Sequence, residues 1–457
     1  MIKKSIFFGA FIILLNFSCS KDSANGSGNN PPAVVPPPVV PPTTVVGTKI
    51  SPMLVGNNVW YKNPTDQIWT ITAACGLGSL RIGGNGYNDN MPTKAELLDW
   101  VKRIQAMGAE PILQVSQFAT TAAVADYVKY FNVDLASGKA IKYWNIGNEP
   151  WLKLNQPATS TMGALVEAYF KPLAAAMKAV DPTIKIYGPD ECYYMEDAMN
   201  DLFGGKNNIA GKVTGKNYYY CDGLSWHRYP QDGNIDLAYA GIEDFKGSII
   251  KCKTKIDAVN IQLGRTGDDA LGWAIGEFNA KDGSRVHSWK NGQMFAGVLD
   301  LCMKYGATYA TTWSMYENSG SRTGSDFSFI DGLNKTPRPS YRHMQMIAKN
   351  FKGIYADGKS SLVDIITFGS VDGNTISVMV MNRANTPATF TLHLNKTATT
   401  ANGNVQLNID ASSTIVYTGA IEALATHTYV FKNNEIYRTV YTNQHFINEK
   451  APDESKL

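Results

Sequence analysis

The chain has 457 residues, 44% of them hydrophobic and 18% charged, which suits a globular chain with a sizeable core and excludes a wholly disordered one. Lys plus Arg number 42 against 39 for Asp plus Glu, and a net charge of +3 over this length is too weak a field to argue for a nucleic-acid partner. Length predicts roughly two to four domains, or one large barrel with a smaller companion.

Lys3 and Lys4 precede an apolar run from Ile6 to Leu15, and the stretch then ends at Ser18-Cys19. This is the charge, length and cleavage pattern of a secretory signal, and the run is too short to span a membrane. Leu15-Asn16-Phe17-Ser18-Cys19-Ser20-Lys21-Asp22 resembles a bacterial lipoprotein signal of the loose Bacteroidetes form. That resemblance implies that Cys19, at the end of a lipoprotein signal segment over residues 1–19, is acylated and becomes the new N-terminus of an outer-membrane lipoprotein, facing the cell exterior or the periplasm. Plain secretion with cleavage nearby is the alternative. Residues 20–48 read as a tether: Pro31 to Pro42 holds seven of the 21 prolines, and a polyproline II segment from Pro31 to Val46 would reach about 50 Å.

From Lys49 short apolar runs alternate with helical stretches, the mark of a parallel sheet with crossover helices. The expected strands are Ile50–Gly56, Ser79–Gly83, Glu110–Gln117, Ile141–Gly147, Ile184–Gly188, Gly223–His227, Gly272–Gly276 and Thr308–Trp313. The expected helices are Thr65–Cys75, Thr93–Met107, Ala122–Leu135, Gly163–Val180, Glu196–Phe203, Leu237–Val259, Ser288–Tyr305 and Ser340–Phe351. Eight such units predict a (β/α)₈ barrel over residues 49–352, with a doubly wound open sheet as the alternative. After Gly353 the apolar period falls to two, as in Phe390-Thr391-Leu392-His393-Leu394. Segments 361–370, 375–383, 388–395, 404–410, 413–423 and 426–432 then predict a small antiparallel β-sandwich over 353–435, followed by a loose polar tail, 436–457.

Outside the leader lie Cys75, Cys192, Cys221, Cys252 and Cys302, an odd number without zinc-site spacing. Free buried thiols are expected; a Cys192–Cys221 disulfide is the one pairing to consider. The six histidines are scattered without ligand spacing, so neither a catalytic metal nor a cofactor is expected. Gly76-Leu77-Gly78 precedes a strand, and Arg81 replaces the third glycine of a dinucleotide fingerprint.

Chemistry on a barrel gathers at the carboxyl ends of its strands. The fourth strand ends Trp144-Asn145-Ile146-Gly147-Asn148-Glu149-Pro150 and the seventh Trp273-Ala274-Ile275-Gly276-Glu277-Phe278-Asn279. Two carboxylates three strands apart around a ring can converge across the mouth. Retaining glycoside hydrolysis needs such a pair about 5 to 5.5 Å apart, one attacking the anomeric carbon and the other protonating the departing oxygen.

On these residues the chain resembles clan A of the glycoside hydrolases, retaining enzymes on a (β/α)₈ barrel. The resemblance implies Glu149 as acid/base and Glu277 as nucleophile, with Asn148 at the sugar 2-hydroxyl. Arg81, in Leu80-Arg81-Ile82-Gly83-Gly84-Asn85, would hold the nucleophile ionised. His227 or Tyr229, in Trp226-His227-Arg228-Tyr229, would hydrogen-bond it, and Trp313 would floor the reacting sugar. Aromatics past the strand ends, among them Trp60, Tyr61, Tyr87, Phe118, Tyr193 and above all Trp151, would suit a polysaccharide cleft. The function so implied is hydrolysis of an extracellular polysaccharide by double displacement, as an endo-acting β-glycanase. The alternatives are an exo-acting arabinofuranosidase or xylosidase, a transglycosylase, or a surface glycan-binding protein without catalysis.

Overall fold

Eight parallel strands close on themselves: β1 (Val55–Val59), β2 (Ser79–Ile82), β3 (Glu110–Val115), β4 (Tyr143–Ile146), β5 (Lys185–Glu191), β6 (Gly223–Arg228), β7 (Gly272–Phe278) and β8 (Ala310–Thr312), with β8 pairing back to β1 through Val55 and Ala310. The computed structural model describes residues 47–60, 62–135, 140–154, 161–230, 238–281, 286–318, 326–394, 404–409 and 415–457. The leader, Cys19 and nearly all of the tether lie outside the described residues, as does Tyr61. Among the described residues no helix is long and apolar enough to cross a membrane.

Alternation along each strand divides the barrel into an outer apolar face and a polar lumen. Leu80 and Ile82 of β2 join the large core beneath the helices, as do Trp144 and Ile146 of β4, while Arg81 and Asn145 between them meet each other in the lumen. At the foot of the lumen Met53, Ile112, Tyr187, Ala274 and Tyr309 form a separate apolar plug. Asn145 Nδ2 donates to Tyr309 Oη at 3.1 Å and so ties the polar layer to that plug.

The helices between strands carry their own signals. Thr93 and Glu96 make a reciprocal capping box before Lys94–Ala106, and Gly76 ends Asp66–Cys75 in the left-handed region at φ 77°. Lys129–Asp134 is a π-helix following Thr121–Val128.

Beyond the last barrel helix, Pro339–Asn350, two sheets face each other. One has the order β10 (Gly358–Ser360), β14 (Asn404–Leu407), β13 (Ala388–Leu394), β15 (Ile415–Ile421). The other runs β18 (Asp453–Lys456), β17 (Glu435–Thr442), β16 (Ala425–Lys432), β12 (Thr375–Asn382), β11 (Ile365–Asp372), β9 (Ile354–Ala356). Val378 and Val380 point into the sandwich core, whereas Met379 and Met381 belong to the core of the barrel. Gln293, on a barrel helix, donates to the carbonyls of Asn382 and Ala425.

The structure corrects the sequence reading in four places. Residues 436–457 are not a loose tail. Ile436-Tyr437-Arg438-Thr439-Val440-Tyr441 extends β17, which pairs with β16 along its full length, and buried Tyr441 packs on Trp289 and His343. β-branched and aromatic residues outweigh the polar ones there. β1 spans Val55–Val59 where Ile50–Gly56 was expected, because the polar Asn57 and Asn58 interrupt the apolar run, Asn58 facing the lumen and Arg81. Segment 361–370 begins with a turn, and its strand, β11, runs only from Ile365, with β10 lying before it. The Cys192–Cys221 disulfide is not formed; both are free thiols, as expected, like Cys75, Cys252 and Cys302.

Candidate active site

The site is organised around a buried cation. Arg81 has no solvent exposure, so its charge must be met by protein groups. Nη1 donates to Asn58 Oδ1 at 2.8 Å and Glu277 Oε1 at 3.0 Å. Nη2 donates to Asn148 Oδ1 at 2.5 Å, Asp190 Oδ2 at 3.1 Å and Gln114 Oε1 at 3.3 Å, and Nε to Asn145 Oδ1 at 3.3 Å. Strands β1, β2, β3, β4, β5 and β7 thus meet on one guanidinium. Burial works against its charge, but Asp190 and Glu277 more than offset this and shift the Arg81 pKa upward.

Glu149 leaves β4 through Gly147, at φ 82°, and itself lies in the left-handed region at φ 45°. Its N–H donates to the Asp190 carbonyl at 2.9 Å, and Pro150 opens the short helix Pro150–Lys153 behind it. Its Oε1 faces His227 Nδ1 at 3.1 Å, and its Oε2 accepts from the Asn85 amide. Glu277 is held differently: Arg81 donates to Oε1, Tyr229 Oη donates to Oε2 at 2.8 Å, and His227 Nδ1 lies 3.5 Å from Oε2. One ligand-type atom from each of Glu149, His227 and Glu277 lies within 4.8 Å of the other two.

Both carboxylates open onto one cavity of about 500 Å³. Trp60 and Trp313 form a wall, their rings 5.8 Å apart and inclined by 21°. Gly84 makes room for this wall, since a Cβ there would lie 2.5 Å from the Trp313 ring. Tyr229, Phe327, Tyr87, Asn85 and Lys281 complete the lining.

The electrostatics turn on His227. Burial pushes the Glu149 carboxyl up, but the hydrogen bond and charge of His227, with Asn85 and Arg81, outweigh it and leave the pKa below its ordinary value. Burial pushes Glu277 up; His227, Arg81 and Tyr229 pull down, the charge of Glu149 pushes up, and the net direction is upward. His227 is itself raised: burial lowers it, and Glu277, Glu149 and Asp190 outweigh burial. These three groups titrate as a unit. Moving one proton from His227 Nδ1 to Glu149 Oε1 removes the charge that lowers Glu149. It also removes together the positive neighbour that lowers Glu277 and the negative one that raises it, leaving the donors Arg81 and Tyr229 in place. In that form Glu149 is a neutral acid facing an ionised Glu277.

The structure therefore brings together Arg81, Asn148, Glu149, His227, Tyr229, Glu277 and Trp313. It divides the two candidates for a partner of Glu277: Tyr229 bonds Glu277, whereas His227 bonds Glu149. Trp151 lies apart. It is 44% exposed and lines a second cavity of about 660 Å³ with Tyr193, which is 38% exposed, and Asp201 and Lys206. Sequence reasoning passed over Asn58, Asn85, Gln114, Asp190 and Glu191. Asn85 stands in the segment quoted for Arg81, and Asp190-Glu191 closes β5, so strand-end position was the available signal. Glu191 is fully buried; its Oε2 accepts from Trp151 N at 3.3 Å, and burial pushes its carboxyl up to about 7.

Among the described residues Glu149, His227 and Glu277 are the one set with the spacing to hold a metal ion. They fit one poorly, because a guanidinium and a phenol already donate to the two oxygens of Glu277.

No protein-family model matches the chain, and no curated protein is similar to it in sequence. Solved structures do share its fold. A family 51 α-L-arabinofuranosidase from Bifidobacterium longum superposes with a TM-score of 0.57 at 15% identity, covering 86% of this chain and 97% of its own. An endoxylanase of glycoside hydrolase family 30 from Clostridium papyrosolvens gives 0.57 at 12% identity, covering 84% and 97%. A bifunctional glucanase-xylanase from a metagenome library gives 0.58 at 12% identity, covering 84% and 96%. At these identities the likeness is one of architecture, a barrel followed by a sandwich.

Proposed function

We propose that this protein is a retaining glycoside hydrolase acting on an extracellular polysaccharide. The observation that carries the reading is the spacing and unequal surroundings of Glu149 and Glu277: oxygens within 4.8 Å across one cavity match the separation used in retention and are too close for the intervening water of inversion. The fold shared with an arabinofuranosidase, a xylanase and a glucanase supports it by analogy.

In the first step a Glu277 oxygen attacks the anomeric carbon as the glycosidic C–O bond breaks, and Glu149 gives its proton to the departing oxygen. In the second, Glu149 takes a proton from water, the water oxygen bonds the anomeric carbon, and Glu277 leaves as a carboxylate. Arg81 and Tyr229 carry the charge of Glu277 before attack and after release. The unpartnered Nδ2 of Asn148 is the donor for the sugar 2-hydroxyl. Trp313 offers its ring to the apolar face of the reacting sugar.

Cleavage inside a chain is favoured over removal of terminal sugars by the second cavity. Trp151, two residues after Glu149, and Tyr193 are exposed and line that cavity, a place for further sugars of a chain. The leader supports a lipid anchor on Cys19 and an outer-membrane location; incorporation of labelled fatty acid, lost in Cys19→Ala, tests it.

The deciding experiment incubates the protein with plant and algal polysaccharides, follows reducing ends, and reads the first-formed anomer by NMR. Retained configuration with release of oligosaccharides is expected. Inversion, or binding without turnover on every glycan, would reject the reading.

A further inference from the structure

Two irregularities flank β6. Along β5, Pro189 pairs with Ser225 and Glu191 with Trp226, so Asp190 is the extra residue of a bulge. Along β7, Ile275 pairs with Trp226 and Glu277 with His227, so Gly276 is the extra residue of another. Bulges re-aim side chains. Here they bring the Asp190 carboxylate and the bare face of Gly276 together at the Nε2 edge of the His227 ring. A Cβ on Gly276 would lie 2.6 Å from Asp190 Oδ1 and 2.9 Å from His227 Nε2.

Asp190, at φ 54° and 1% exposed, is engaged three ways. Its Oδ2 makes the ion pair with Arg81 at 3.1 Å, and Arg81 holds Glu277. Its Oδ1, otherwise without a partner, lies 3.9 Å from His227 Nε2, also without one, and the other nitrogen of that ring faces Glu149. Its carbonyl accepts the N–H of Glu149. Neighbouring Glu191 holds Trp151 N, so two consecutive residues of β5 fix the loop that presents Glu149.

We infer that Asp190 is a positioning residue that links the two carboxylates, fixing Arg81 for Glu277 and holding the proton of His227 for Glu149. This deepens the hydrolase reading and rests on it for its meaning, though not for its test. When Glu149 gives the proton received from His227 to the leaving group, His227 is left a neutral imidazole whose remaining proton, on Nε2, faces Asp190 Oδ1, and the proton that Glu149 later takes from water can return to Nδ1. The charged and titratable groups around His227 are Glu149 from β4, Asp190 and Glu191 from β5, Glu277 from β7 and Arg81 from β2, with Tyr229 on its own strand; Tyr309 of β8 stands beside Asp190.

The test needs no substrate. In full-length protein with ¹⁵N-labelled histidine, the His227 signals, assigned with His227→Gln, are titrated in the wild type, in Asp190→Asn and in Gly276→Ala. Loss of the facing charge should lower the His227 midpoint by about one pH unit or more. Gly276→Ala keeps every charge but drives Asp190 and His227 apart, and should lower it in the same direction; it also stands alone should Asp190→Asn fail to fold. A midpoint unchanged in either folded variant would overturn the inference. On a substrate the protein turns over, the alkaline limb of the kcat/KM profile should fall to lower pH in Asp190→Asn, and adding Asp190→Asn to His227→Gln should move it no further. A limb that moves equally in both backgrounds would show that Asp190 does not act through His227.

Discussion

The ends of β4 and β7 carry the same side chain to the same cavity and surround it with opposite chemistry. Glu277 meets a permanent cation and a phenol, neither of which gives up its proton near neutrality. Glu149 meets an imidazole and an amide, and the imidazole can hand over a proton. Identical carboxyls are thus separated in role by the exchangeability of their neighbours' protons, while His227 between them couples their titration.

The sharpest break is Glu277→Ala, which should abolish turnover, by about 10⁴-fold or more in kcat, on every substrate cleaved. Glu149→Ala should depend on the leaving group, losing roughly 10²- to 10⁴-fold on polysaccharide and far less on activated aryl glycosides. Azide should rescue it with formation of a glycosyl azide; equal losses on both substrates would assign the acid elsewhere. Tyr229→Phe should cost about 10-fold in kcat by analogy with losing one charge-assisted hydrogen bond. Because that bond lowers the Glu277 pKa, its loss raises it, and the acid limb of kcat/KM should move to higher pH. A shift of the alkaline limb instead would give Tyr229 to the Glu149 side. Trp151→Ala, the mildest, should raise KM several-fold on long oligosaccharides and leave small aryl glycosides unaffected, as measured by initial rates.

How much of this was legible beforehand follows from where each signal resides. Alternation of apolar runs with helices revealed the barrel, because strands covered on both sides read as continuous apolar segments. Period-two patterns revealed most of the sandwich, but β17 was hidden by its charged edges. In the site, residues closing β2, β4, β6, β7 and β8 could be named from strand ends. Asn58 and Gln114 could not, since they act as lumen ligands of Arg81 from strand interiors, where an inward side chain has no mark in the sequence. The position of Asp190 could be read from the end of β5, but its role could not. Its aim comes from a bulge, and a one-residue offset between neighbouring strands is a property of pairing that no single strand displays.

Met379 and Met381 carry a consequence for handling the molecule. They alternate with Val378 and Val380 along β12, so one strand fills two cores at once. A fragment stopping after Asn350 would bare the barrel's share of that interior, with Trp289 and His343 stripped of Tyr441, and such a patch drives aggregation. The trailing region is a structural wall of the barrel, and heating should melt the two in a single transition.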